Sequence, residues 1–347
     1  MTAPRLNKVT IARGERLDKA LLGPDVISWL KNLSGPTWIE WQGESSVRQR
    51  VIVTLLHGNE PSGIEALHAW LSSGLTPAMT CHLIIGVIGT ALTKPYFSHR
   101  HLPELRDLNR CFDGPTDDLP GQLAQQIWQT IEQLQPEAVL DLHNTSGSGP
   151  AFAVSVSDSS EHQALASLFC QRMIVTDVFL GALMEKTRPS QPIVTIECGG
   201  AIDPESKEVA KEGLYQFLTA PKVTTYQHYD WDIELLSHPK RVVLSADMSI
   251  AMAERAVKGA DLTLVMGIEH FNFGEVTPDN RLAWIGPSGI DTIQVVNGQG
   301  DNLCRHYFQV IDGALYPKRP LKLFMITPNL TIAQEDCLFY LVDASID

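Results

Sequence analysis

Between residues 50 and 220 the chain alternates short runs that are apolar throughout with stretches of helical periodicity. The runs are VIVTLL (51–56), HLIIGVIG (82–89), AVLDLH (138–143), AFAVSV (151–156), RMIVTDV (172–178) and PIVTIECG (192–199). Helical patterns fall at 61–71, 121–134, 161–170 and 205–218, and Pro61 suits a first helical turn, where its missing N–H has no helical partner. A strand without a polar face must be buried on both faces. This alternation therefore predicts a largely parallel sheet with helices packed on either side. After Pro221 the texture changes to short, turn-bounded, β-branched segments: TTYQHYDWDIELL, RVVLSADM, DLTLVMG, DTIQVVNG, RHYFQVIDG and KLFMITP. Helix is expected there only over 249–257. The chain thus reads as an α/β domain over 1–221 followed by a smaller β-rich domain over 222–347.

Composition narrows the partners. The 347 residues include 27 Lys and Arg against 40 Asp and Glu, a formal charge of −13. Such a chain lacks the cations that neutralise phosphates, so it is expected to bind neither nucleic acid nor an anionic membrane surface. No run of 18 apolar residues occurs, and the charged N-terminus has no apolar signal core. The six cysteines form no C-x-x-C pair, which excludes a zinc ribbon and a small disulfide scaffold. The expected location is the cytoplasm, with thiols reduced.

Four features carry chemistry. His57-Gly58-Asn59-Glu60 sits between an apolar run and a helix, at the carboxyl end of a strand, where open α/β sheets bind ligands. An H-x-x-E turn points both side chains toward one centre, although a backbone-bonded His57 and a dipole-favoured Glu60 give the same pattern. Asp141-Leu142-His143-Asn144 closes a second apolar run and enters a Gly/Ser loop, which adds a second histidine on the same edge. Two histidines and a glutamate, with water in the fourth position, make a catalytic zinc set. Asp141, two residues before His143, shares its side of the strand and is placed to orient it. Glu197 closes the apolar run of PIVTIECG, where it is either a general base or a cap for the next helix, a role Asp203 fills better. Finally, residues 94–110 hold Lys94, Arg100, Arg106 and Arg110 against Glu104 and Asp107, with His99 and His101 beside them. A positive loop in an acidic chain suits a carboxylate-bearing ligand, or else balances neighbouring acids.

H-G-N-E, then D-L-N-R (107–110), D-L-H (141–143) and I-E-C-G (196–199), in that order, resemble the succinylglutamate desuccinylase/aspartoacylase family, a branch of the zinc carboxypeptidase-like hydrolases. The resemblance spans roughly residues 50–215. It implies a zinc-carboxypeptidase-like three-layer sandwich with a smaller β-rich C-terminal domain. It also implies one Zn2+ per chain on His57, Glu60 and His143. Glu197 matches the carboxylate that takes a proton from the attacking water and returns it to the leaving amine. Asn109 and Arg110 match the pair that grips a substrate carboxylate. The family's carbonyl-polarising arginine has no counterpart at its usual spacing, since Leu102 falls there; Arg100 and Arg106 flank it as equal candidates. Arg188, nine residues before Glu197, lies near a second carboxylate-binding arginine of aspartoacylase-like members, and Tyr307, Tyr316 and Tyr340 are available for a C-terminal tyrosine that some members use.

The function implied is a zinc amidohydrolase acting on linear amide C–N bonds. Its substrate is a small anionic N-acyl amino acid such as N-succinylglutamate or N-acetylaspartate. A zinc carboxypeptidase acting on a small peptide, and a non-catalytic carboxylate-binding module, are the alternatives. The first shares the D-L-N-R motif; the second is opposed by the presence of all three ligands and the base.

Overall fold

The protein is described by a computed structural model over residues 6–225 and 232–344. The chain divides into two compact units. One comprises Met1–Asn144, Ala151–Ile174 and Phe179–Leu235, the other Thr145–Pro150, Val175–Val178 and Leu236–Asp347.

The first unit begins with β1 (Asn7–Ile11), α1 (Lys19–Leu22), α2 (Val26–Asn32) and β2 (Thr37–Trp41), and continues through β3 (Ser45–Thr54), α3 (Ser62–Ser73), β4 (Met79–Ile85) and α4 (Ile88–Ala91). After these come α5 (Leu119–Leu134), β5 (Ala138–Thr145), β6 (Phe152–Ser155), α6 (Ser160–Ser167), β7 (Arg172–Val175), β8 (Ile193–Gly200), α7 (Pro204–Thr219) and β9 (Glu234–Ser237). The strands form one sheet in the order β1-β2-β4-β3-β5-β8-β6-β7-β9. At its centre β3 runs parallel to both β4 and β5, so the carboxyl ends of β3 and β5 lie side by side.

Why these runs are apolar on both faces is visible in the packing. Val51, Val53 and Val139 turn toward α5, whose Leu123, Ala124, Ile127 and Ile131 form one buried stripe. Asp118 caps that helix by accepting from the Gly121 N–H, and Pro120 occupies its first turn. The alternate residues face α3 and α7. A Cβ on Gly63 would come within 2.5 Å of Thr54 Oγ1 and 2.8 Å of Leu142 Cβ, so α3 rides directly on β3 and β5 through a glycine. Arg50, wholly buried at the start of this stretch, donates to the Phe217 carbonyl of α7 and pairs with Glu137 at 2.6 Å. A central sheet between two helical layers is thus the three-layer sandwich.

The sheet is less uniformly parallel than its composition suggested. β2 runs antiparallel to β4, and β6 (the 151–156 run) antiparallel to β8. A four- or five-residue run announces a strand but holds no record of its partner's direction.

The second unit is almost entirely β. Its strands are β10 (Lys240–Leu244), β11 (Ile250–Ala253), β12 (Leu262–Val265), β13 (Glu275–Val276), β14 (Ala283–Ile285), β15 (Ile293–Val296), β16 (Phe308–Ile311), β17 (Ala314–Pro317), β18 (Leu321–Phe324) and β19 (Phe339–Asp343). They make two five-stranded sheets, β13-β18-β19-β10-β15 and β11-β12-β14-β17-β16, which share one core containing Val242, Leu264, Phe308, Leu323 and Phe339. Between β16 and β17, Asp312 and Gly313 both take positive φ, the two-residue turn whose twist matches a hairpin. The helix expected over 249–257 is instead β11, paired in parallel with β12. Ile250 and Met252 pack on the core at a spacing of two, and that long-range pairing outweighs the helix propensity of Ala, Met, Glu and Arg. Two short helices, α8 (Cys304–Tyr307) and α9 (Leu330–Glu335), occur where none was expected. The 224–236 segment lies partly outside the described residues; its described end forms β9.

Candidate metal centre and active site

Three turns at the carboxyl edge of the central sheet bring the candidate residues together. β3 ends at Thr54, and buried Leu55 adopts φ 54°, a left-handed conformation that is strained for a leucine and swings the next residues across the sheet edge. Gly58 then lies so close to its surroundings that a Cβ would meet Thr90 Cγ2 at 2.6 Å and the His99 carbonyl at 2.7 Å. Its N–H donates to the Arg100 carbonyl at 2.9 Å, which fixes the positive loop against the H-G-N-E turn.

His57, Glu60 and His143 are all buried, and one ligand atom from each lies within 4.8 Å of the others. His57 Nδ1 is 2.8 Å from Glu60 Oε1, His143 Nδ1 is 2.6 Å from Glu60 Oε2, and the two Nδ1 atoms are 3.2 Å apart. Each far nitrogen meets a carboxylate: His57 Nε2 lies 2.9 Å from Asp107 Oδ1, and His143 Nε2 lies 2.9 Å from Asp141 Oδ2. Thr195 Oγ1 donates to the same Asp141 oxygen at 3.2 Å. Carboxylates on both Nε2 atoms favour the tautomer that carries hydrogen there and aims the Nδ1 lone pairs inward. Two lone pairs and a carboxylate then converge with no donor among them. Only added positive charge satisfies such a set, either as protons or as one cation, and two nitrogens with an oxygen are ligands that suit zinc.

The electrostatics agree. Burial alone would raise Glu60, but His57 and His143 outweigh it and hold its carboxyl far below the usual range. Asp107 is likewise lowered against its burial by His57, with Arg100 and Arg110 adding to the effect. Burial disfavours charge on His143, yet Asp141 and Glu60 raise it well above an ordinary histidine. Glu197, on β8, is pushed by burial up to about 7, and its Oε2 is buried with no hydrogen-bond partner among the described residues. Cys198 beside it is buried and driven well above the normal thiol range, which makes it inert. Asp203 stands at the N-cap of α7, but its carboxylate turns back to the Gly200 N–H at 3.2 Å.

The arginines separate. Arg100 donates from Nε to Asp107 Oδ2 at 2.9 Å and brings a terminal nitrogen to 3.8 Å from Glu60 Oε1, which places it at the cluster. Arg106 clamps Asp118 in bidentate fashion at 2.6 and 2.7 Å and donates to the Pro115 carbonyl, so it serves the start of α5. Arg110 lies near enough to Asp107 to lower it and donates to the Asn109 carbonyl at 2.9 Å. Buried Asn109 accepts from the Leu183 N–H at 2.9 Å and sets its Nδ2 3.4 Å from His143 Nε2. Arg188 is not brought to this group: half-exposed, it pairs with Glu132 at 2.6 Å and covers the Trp128 ring, both on α5. Tyr307 is buried in the second unit with its hydroxyl donating to Asp343 at 3.2 Å, and Tyr340 stacks on Phe324. Tyr316 lies half-buried on β17.

Two participants had no role in the sequence reading. Asp107 belongs to D-L-N-R, but its contact with His57 spans 50 residues and no spacing announces it. Asn144 follows His143 directly; its position at a strand end was the only signal available.

Residues 46–215 match the succinylglutamate desuccinylase/aspartoacylase catalytic domain. Among solved structures, the fold is similar to succinylglutamate desuccinylase from Vibrio cholerae, with a TM-score of 0.60 and 14% identity over 94% of this chain and 96% of that one. It is also similar to the Chromobacterium violaceum succinylglutamate desuccinylase (TM-score 0.55, 14% identity, 94% of this chain and 100% of that one). A third relative is a succinylglutamate desuccinylase/aspartoacylase from Rhodobacter sphaeroides (TM-score 0.54, 15% identity, 90% and 88%). At such identities the likeness is one of fold. No curated protein matches the chain by sequence.

Proposed function

We propose, from the premise that residues 46–215 form a hydrolase domain of the succinylglutamate desuccinylase/aspartoacylase type, that the protein is a zinc-dependent deacylase of small anionic N-acyl amino acids, N-succinylglutamate or N-acetylaspartate among them. The observation that carries this reading is the inward convergence of His57 Nδ1, His143 Nδ1 and the Glu60 carboxylate, each imidazole backed by its own aspartate. His57, Glu60 and His143 would hold the ion. When bound, zinc supplies Lewis-acid polarisation and makes water acidic enough to ionise near neutral pH.

The remaining chemistry belongs to the chain. Glu197, raised by burial toward neutrality, takes the proton of the attacking water and hands it to the departing amine. Arg100 stands at the cluster's edge, where its guanidinium meets the negative charge that develops on the carbonyl oxygen. Arg110 and Asn109 orient a substrate carboxylate, which makes the attack effectively intramolecular. Six buried free thiols support a reducing compartment, the cytoplasm.

Glu197→Gln tests the base. It keeps the shape and removes the proton acceptor, so the variant is expected to retain its metal and lose turnover by about 10²–10⁴-fold. Undiminished turnover would remove Glu197 from the mechanism.

A further inference from the structure

We propose that Asn144 is a positioning residue that sets the spacing between Glu60, which follows β3, and Glu197, on β8. The proposal rests on the reading of Glu60 as a metal ligand and Glu197 as the base. β5 lies between β3 and β8 in the sheet, and Asn144 stands at its carboxyl end, one residue beyond His143.

Asn144 is 3% exposed, and it reaches both neighbours at once. Toward β3, its backbone N–H donates to Glu60 Oε2 at 3.2 Å, its Oδ1 accepts from the Ser62 N–H at 3.0 Å, and its Nδ2 donates to Ser62 Oγ at 2.8 Å. Toward β8, Nδ2 donates to the Gly199 carbonyl at 2.9 Å, two residues past Glu197. α3 opens at Ser62 with Pro61 as its N-cap, and proline offers no side-chain acceptor. The first N–H groups of a helix need partners, and here Asn144 supplies one from another strand. The chain that carries Glu60 is therefore capped in trans. On the far side, Gly199 has φ 105°, a conformation that leaves the β8 terminus few intrinsic restraints. The Asn144 amide holds this terminus on the β5 side, while Asp203 holds the Gly200 N–H.

The residue type follows from this geometry. An amide of this length presents one acceptor and two donors in a plane. Aspartate would face the Gly199 carbonyl with a second acceptor and add charge beside Glu60. Serine has a single donor, and glutamine is a methylene too long.

The test compares Asn144→Ala and Ser62→Ala with wild type in the full chain. It reads zinc affinity by chelator competition, thermal unfolding of the metal-free protein, and kcat and KM on an N-acyl amino acid. Asn144→Ala is expected to weaken zinc binding about 10–100-fold. At saturating zinc it is expected to lower kcat at least about tenfold, with KM within about threefold, since substrate contacts are untouched. Ser62→Ala, which deletes the Nδ2–Oγ bond together with the 3.1 Å contact of Ser62 Oγ with Ser206 Oγ, shifts both quantities in the same direction by less, and Ser206→Ala, which removes that second contact while sparing Asn144, leaves both near wild type. Wild-type zinc affinity and kcat in Asn144→Ala overturn the proposal, as does a loss confined to KM. Should Asn144→Ala not fold, Ser62→Ala decides on the same criteria. His57→Ala and Glu197→Gln run beside them. If these lose metal and turnover respectively while Asn144→Ala does not differ from wild type, the proposal falls and the functional reading stands. If the controls retain both, the reading falls and takes the proposal with it.

Discussion

His57 and His143 are set alike, each with Nδ1 inward and Nε2 on an aspartate, although they stand 86 residues apart. Sequence singled out His57, His143 and Glu197 as candidates because each closes an apolar run, where a polar residue needs a reason, and Glu60 because it follows His57 at a spacing of three. It could not choose between Arg100 and Arg106, because both flank the expected position and the choice depends on which guanidinium lies beside the His57–Glu60–His143 cluster. Each is held by two nitrogens on an aspartate, but Arg106 pairs with Asp118 at the start of α5, whereas Arg100 pairs with Asp107 and comes to 3.8 Å from Glu60. Arg100→Ala is therefore expected to lower kcat about 10²–10³-fold. Arg106→Ala should leave kcat within a few-fold and lower thermal stability by loosening the start of α5. Steady-state kinetics on the two variants, with melting curves, decide the matter; the reverse pattern would make Arg106 the polarising residue.

Elements were legible where burial leaves no ambiguity. The apolar runs of β3, β5 and β8 are squeezed between two helical layers, so their composition alone identified them. β1, α1, α2 and β2 carry mixed polarity on the sheet's rim and offered no such signal. β11 misled because its residues favour helix locally and only the pairing with β12 makes them a strand. The rim also contains a pH-sensitive joint. His82 of β4 accepts from Trp38 Nε1 on β2 at 3.1 Å and donates to Gln49 Oε1 on β3 at 2.7 Å, so it spans three strands as a neutral ring. Burial lowers it to about 4, well beneath the 6.5 it has when unfolded. The unfolded chain thus takes up the proton first. The contribution is whole above pH 6.5 and is lost as pH falls from 6.5 toward 4, by about 1–2 kcal/mol at pH 5. In urea unfolding at pH 7.5 and 5.0, His82→Gln is expected to lose less stability than wild type by that amount. Equal losses in both proteins would show that His82 does not titrate with unfolding.

At the scale of the whole molecule, the chain carries a formal charge of −13, and its cationic stretch 94–110 is fastened to the H-G-N-E turn by the Gly58 N–H on the Arg100 carbonyl. Among the described residues no helix is long and apolar enough to cross a membrane. The two β-sheets of the second unit close on a core of their own, and His57, Glu60, His143, Glu197 and Arg100 all belong to the first. The central claim is that this first unit holds one metal ion on His57, Glu60 and His143 and uses it to release an amine from an N-acyl amino acid. The most direct measurement is metal content by elemental analysis together with free-amine release from a panel of N-succinyl and N-acetyl amino acids, wild type against His57→Ala. About one zinc per wild-type chain, with amine released by wild type and neither metal nor turnover in the variant, is the predicted result. A wild-type chain that takes up no metal, or one whose zinc and turnover survive the loss of His57, would contradict it.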